Sequence, residues 1–407
     1  MSFFSTKKSP ASSGNRPSGF EYLSANDCYM DTACQSLRPQ PVIDAEMEYY
    51  KQYNACGGRA KHKWGQRVDE KVEAARAKLL ALSGKSANEY AVAFTLNATY
   101  GINLVLQQIP AGGISSIVTS ETEHNSVFLP SITWSRRNNV PRKILKRDDN
   151  GTLAITGEDL SNALVIVSTL SNIDGRGLPN AKEIAAAVHK GSGLLLIDAA
   201  QHIGHDPQGL KGIDFDAAFC SGHKMYAPSC GFIIIRRTLL RRLEPFFIGG
   251  GTVSDVHGND FTLLKGPVDE HSILEPGLQS WAGIVGLNAA IDWLAAVKPM
   301  GKSPKAYEEE LAAALFSKLK AMPRIHMMNS VPRPVMSFYV DNLDAHKLAI
   351  FLSEQQIMCR SGHFCCHHYL EHERKLPPLL RVSLGLHNTA SDIERFLSVL
   401  GTIVKTF

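Results

Sequence analysis

Two groups near the middle of the chain could do chemistry once drawn partly out of water. Asp198 ends the apolar run Leu194–Asp198, and Lys224 closes Ser221-Gly222-His223-Lys224, which follows the next apolar run. A carboxylate at the end of a buried strand is costly unless it faces a cation or strong donors. A lysine in a comparable place is a candidate amine nucleophile, because partial desolvation lowers its pKa. The pair suits pyridoxal phosphate: the lysine would hold the aldehyde as a Schiff base, and the aspartate would keep the pyridine nitrogen protonated so that the ring can accept electrons. Read singly, the aspartate is equally a helix cap and the lysine a surface turn residue. Two strand ends carrying matching groups in order favour the chemical reading.

Those groups need a scaffold, and the pattern around them supplies one. Gln66 to Ser83 puts Val68, Val72, Ala75 and Leu79 on one helical face and stops at Gly84. Short apolar segments recur at 91–96, 114–119, 163–169, 194–198, 217–220 and 232–235, separated by loops or helical stretches such as 180–190. Such alternation predicts an α/β domain whose mostly parallel sheet is buried on both faces, with its ligand at the carboxyl ends of the strands. Pro, Gly and Lys crowd 298–305, which reads as a linker. Beyond it come a helix near 307–322, a strand at 335–340, a helix near 345–355 and a last helix opened by the capping-box pattern Thr389 to Asp392. The expected division is a flexible segment 1–27, some of which could join the small domain, a large domain 28–297 and a smaller α+β domain 298–407.

Composition excludes other classes. In 407 residues, 43 Lys+Arg against 39 Asp+Glu leave a net charge of +4, and the basic pairs 236–237 and 241–242 form no tract. No nucleic-acid partner is expected. No apolar run approaches the ~18 residues that span a bilayer, so no membrane insertion is expected. Eight cysteines without a CxxC pair read as reduced thiols in a cytoplasmic compartment. The Ser-rich, acid-free first 19 residues read as a disordered tail and leave organellar targeting open.

The stretch 198–224 resembles the class V group of fold-type I pyridoxal phosphate enzymes, and most closely the Suf-type cysteine desulfurases and selenocysteine lyases. Asp198, Gln201 and Ser221 to Lys224 match that cofactor motif. Residues 29–33 are similar to the family's first strand and 41–45 to the helix after it. Asn97 to Asn103 resembles its phosphate-binding turn, where the amides of Ala98 and Thr99 would meet a dianion at a helix start. Glu123-His124 resembles the motif whose histidine stacks on the pyridine face and moves protons, and Asn172 falls where the family has an Asn beside the cofactor's phenolic oxygen. The resemblance implies that Gln201 bonds that oxygen, that Ser221 and His223 hold the phosphate, and that the site is completed in a homodimer.

The substrate side lies near the carboxyl end. Arg360-Ser-Gly-His363-Phe-Cys365 resembles the Arg-x-Gly-His-x-Cys loop of Suf-type enzymes, with Cys365 the implied persulfide acceptor and Cys366 its ambiguous neighbour. Arg381 matches the carboxylate anchor, a role its planar fork suits. Arg59 falls in a stretch that departs from the family's His-Arg pattern, Phe364 replaces a histidine, and Leu278 stands where the family has a threonine that reaches the neighbouring subunit's phosphate. His363, Cys365, Cys366, His367 and His368 include zinc-binding types, yet a single dense cluster lacks two spaced ligand pairs, and no metal is expected. The resemblance implies cysteine desulfuration, with a sulfur-acceptor protein a possible partner. The alternative is another class V reaction, transamination, C–S lysis or epimerisation, on a different small amino acid.

Overall fold

The computed structural model describes residues 16–58, 60–264 and 270–407. Seven strands form the main sheet, in the order Tyr90–Thr95, Gly231–Arg236, Ala217–Ser221, Leu194–Asp198, Ala163–Ser168, Ser116–Ser120 and Arg142–Leu145. Neighbours are parallel except along Gly231–Arg236, which runs antiparallel to both its partners. Their side chains are buried on both faces, which is why the sequence shows continuous apolar runs without alternation. The edge strand Arg142–Leu145 escapes that pattern because only Leu145 is buried, whereas the other edge strand, Tyr90–Thr95, is buried throughout.

Helices cover both faces. On one side Val68, Val72, Ala75 and Leu79 of the helix Lys63–Ser83 pack with Ile284 and Leu287 of the helix Trp281–Ala296. Gly84, at φ 67°, ends the first of these in the left-handed conformation that glycine adopts freely. On the other side Ile102 and Val105 of the helix Ala98–Gln108 and Trp134 of the helix Asn125–Asn138 meet Phe219 and Ile233.

A second sheet has the order Ile325–Met327, Val335–Val340, Leu379–Ser383 and Arg360–Gly362. The helices Pro304–Ala321 and Ala390–Thr406 pack with it through Leu315, Phe396 and Leu400. The latter helix begins with a full capping box, Thr389 and Asp392 each accepting from the other's amide. The amino-terminal stretch joins this carboxyl-terminal unit. Cys28–Tyr29 pairs in parallel with Ile357–Met358, Asp31 bridges to Ser383, and Arg16 is ion-paired with Asp392. Residues 28–31 thus pair with the carboxyl-terminal unit, although the sequence reading begins the large domain at 28.

Candidate active site

The carboxyl ends of neighbouring strands converge on one cavity of about 300 Å³, to which Ser168, Asp198 and Ser221 contribute directly. Every residue singled out from the sequence as a site residue lines it, except Arg59, which lies outside the described residues.

Lys224 stands on the turn Gly222–Lys224, between Ala217–Ser221 and the reversed strand Gly231–Arg236. Two glycines permit this packing. A Cβ on Gly204 would lie 2.0 Å from the Lys224 carbonyl oxygen, and one on Gly231 would lie 2.4 Å from the Asn97 Cα. Burial lowers the Lys224 pKa, with Arg381 adding to that push and Asp198 opposing it. The amine therefore loses its proton more readily than a surface lysine. Asp198 accepts a 2.9 Å hydrogen bond from the Ala200 amide, yet burial pushes its carboxyl up to about 6. That is the state of a buried acid still lacking a full cationic partner.

His124 caps the helix Asn125–Asn138, its Nδ1 accepting from the Ser126 amide at 3.0 Å. The proton of the neutral ring therefore sits on Nε2. Burial, with Lys224 and Arg381 nearby, pulls the imidazole down to about 3, so it is neutral at ordinary pH. The preceding residue fixes its approach. Glu123 is fully enclosed, paired with Arg147 at 2.8 Å and accepting from the Ser168 amide at 2.8 Å.

Asn97 caps the helix Ala98–Gln108 through the Tyr100 amide at 2.9 Å, which sets the Ala98 and Thr99 turn against the cavity. The expectation that both amides face an anion is modified at Ala98. The Ala98 amide donates to Ser221 Oγ at 3.0 Å, and Thr99 Oγ1 pairs with Ser126 Oγ at 2.6 Å. His223 lines the same end, pulled down to about 4 chiefly by burial. Gln201 lines the cavity too, with its amide nitrogen donated to the Ala33 carbonyl at 2.7 Å.

The opposite wall comes from the carboxyl-terminal unit. Arg381 is almost wholly buried and donates through Nη2 to Asp31 and through Nη1 to the Asn172 carbonyl, each at 3.0 Å, while its Nε has no partner. Asp31 also takes Arg360 Nε at 3.0 Å. Asn172 lines the cavity and also fastens this wall. Its nitrogen donates to the Phe364 carbonyl at 2.8 Å and its oxygen accepts from Cys366 Sγ at 3.3 Å. The two adjacent thiols are thereby distinguished. Cys366 is buried and its pKa is driven far up by desolvation, whereas Cys365 is exposed and lines the cavity.

Sequence reasoning missed Asp31, Cys34 and Ser126 at this wall and turn. The run Tyr29 to Ala33 was visible, but the arginines that meet Asp31 lie more than 300 positions away, so no local pattern could connect them.

The chain is similar to several known proteins over nearly its whole length. A probable cysteine desulfurase of Methanothermobacter thermautotrophicus is 31% identical over 90% of this chain and 92% of its own. A cysteine desulfurase of Shigella flexneri is 29% identical over 92% of this chain and 93% of its own. Among solved structures, the apo cysteine desulfurase of Thermococcus onnurineus NA1 superimposes with a TM-score of 0.85 at 28% identity, covering 94% of this chain and 95% of that one. The profile of the aminotransferase class-V family matches residues 28–396, and with this fold and this cavity the chain belongs to that family.

Proposed function

We propose that the protein is a pyridoxal phosphate-dependent cysteine desulfurase, converting L-cysteine and the Cys365 thiol to L-alanine and a Cys365 persulfide. The reading rests above all on one cavity holding a half-buried amine, a buried acid, a free buried guanidinium donor and an exposed thiol. The likeness to cysteine desulfurases supports it.

The residues fit the cofactor. Asp198 is a buried acid short of a cation, which a protonated pyridine nitrogen would supply, and the turn at Ala98 and Thr99 with Ser221 and His223 offers donors for a phosphate. When bound, pyridoxal phosphate supplies the aldehyde and the electron sink. The chain's own groups do the rest. Lys224 would hold the aldehyde carbon and, once free, carry the α-proton. Neutral His124 would cover the ring and offer Nε2–H to a developing charge. Gln201 would lie at the phenolic side. Arg381 would take the substrate carboxylate, using the unpartnered Nε beside Nη2. Asn172 would hold the loop that carries Cys365. Arg59 keeps its proposed substrate contact from the resemblance alone.

A homodimer belongs to the same reading. Phe246, Phe247 and Ile248 are exposed, and Gly250 in the same segment accepts from the Gly277 amide beside Leu278, whose side chain is 77% exposed. Exposed apolar side chains of this size mark interaction surfaces. Leu278 has no hydroxyl, so a phosphate contact from that loop would use an amide. A sulfur-acceptor protein would take the persulfide, and free thiols throughout suit a reducing cytoplasm.

The decisive experiment exposes the holoenzyme briefly to cysteine and weighs its peptides. The reading expects alanine in solution and one added sulfur on the Cys365 peptide, with both lost in Cys365→Ala. Unchanged alanine production by that variant would overturn the assignment of Cys365. Lys224→Ala should lack the visible cofactor band that borohydride abolishes, and retention of that band would overturn the role of Lys224.

A further inference from the structure

Phe364 and Cys365 have φ of 48° and 59°, two successive non-glycine residues in the left-handed region. Such strain persists only where the surroundings over-determine it, and it gathers at working sites. Here the fastenings are visible. The Asn125 amide donates to the Cys365 carbonyl at 2.7 Å, and the Asn172 side chain donates to the Phe364 carbonyl at 2.8 Å. The Phe364 ring lies 4.8 Å from the Arg381 guanidinium carbon and is itself buried with Ile173 and Leu370. Two residues of the proposed substrate wall, Asn172 and Arg381, thus also grip the residue before the reactive thiol.

We infer that Phe364 is a positioning residue that couples occupancy of the carboxylate site to the freedom of Cys365. With the site empty, the buried guanidinium attracts the ring face and holds the strained loop in place. A carboxylate on Arg381 shares that charge, weakens the attraction and lets the strained pair relax. Cys365 is then released when it must travel to the substrate sulfur. The inference deepens the desulfurase reading and rests on it for Arg381 and Cys365.

The test measures iodoacetamide alkylation of Cys365 in the holoenzyme, followed on its peptide, with and without L-alanine, which carries the carboxylate and no sulfur. In the wild type L-alanine should accelerate alkylation severalfold. Phe364→Leu keeps apolar bulk without the ring face, and should react about tenfold faster without alanine and respond little to it, the factor expected of a desolvated cation–π contact. Phe364→Tyr, which keeps the ring, should restore the wild-type response. Equal alkylation of the wild type and Phe364→Leu under both conditions would overturn the inference, as would protection of the wild type by alanine. Alkylation needs no sulfur transfer, so failure of the latch is seen separately from failure to form alanine and persulfide.

Discussion

Arg360 and Arg381 stand directly opposite each other on adjacent antiparallel strands, a pairing that repels unless an anion lies between. Asp31 is that anion, one oxygen to each guanidinium at 3.0 Å. Asp31→Asn keeps the shape and one acceptor and removes the charge. The Arg381 side chain is 3% exposed, and breaking a buried pair costs about 3–5 kcal/mol, with the lower end fitting a carboxamide that still accepts. The Arg360 arm is 47% exposed and adds less than about 1 kcal/mol. At about 2 °C per kcal/mol in a large chain, Tm should fall by roughly 6 °C. Acetate or L-alanine should restore more stability to the variant than to the wild type, because their carboxylate meets two cations no longer shared with Asp31. Chloride at equal ionic strength should not. Differential scanning fluorimetry across a carboxylate titration measures both effects. A variant melting with the wild type, or gaining no more from acetate, would refute the two-arginine bridge.

Three further outcomes follow from the titratable groups in and beside the cavity. His124 is pulled to about 3, so between pH 6.5 and 3 the unfolded chain binds a proton that the native state refuses. Its share of stability is complete above pH 6.5 and lost as pH falls, and His124→Gln should flatten that region of a Tm-against-pH curve. Asp198, raised to about 6, behaves oppositely, binding a proton in the native state between pH 3.8 and 6 that the unfolded chain has released. Stability therefore falls as pH rises through that window, and Asp198→Asn should stabilise the cofactor-free protein at pH 8 by roughly 2–3 kcal/mol while greatly reducing kcat. Cys366→Ser should keep alanine production within about twofold and still gain sulfur on position 365, since a buried, proton-holding thiol is a poor nucleophile. Kinetics and peptide mass spectrometry check it.

What the sequence displayed was whatever is local. The buried strands appear as apolar runs, the helix Lys63–Ser83 as a 3.6-residue stripe closed by a glycine, and the final helix as a capping box. Asp198 and Lys224 stood out because an ionisable residue ending an apolar run breaks the pattern. The edge strand Arg142–Leu145 was hidden by its exposure, and the exposed hairpin Val253–Leu263 by the lack of a buried face. Harder to see was how the wall opposite Lys224 is tied together. Asp31, Asn172, Arg360 and Arg381 come from distant regions of the chain, and their hydrogen bonds depend on strand pairings that leave no short-range trace.

That distribution bears on how the site works. The main sheet supplies Asp198, Lys224, His124 and the turn at Ala98, groups fixed at strand ends and helix caps and suited to hold a cofactor rigidly. The carboxyl-terminal unit, with Asp31 of the amino-terminal stretch paired to it, supplies Arg381, Arg360 and the strained loop of Cys365, and Asn172 reaches across to that loop. A rigid wall favours the electron-storing step, which gains from preorganisation. If Phe364 latches the loop as inferred, the Cys365 thiol is the part of this second wall that a bound carboxylate can reposition. The first wall carries the signals that a single sequence displays, because its groups end apolar runs and open helices, whereas the second is assembled by pairings between distant strands.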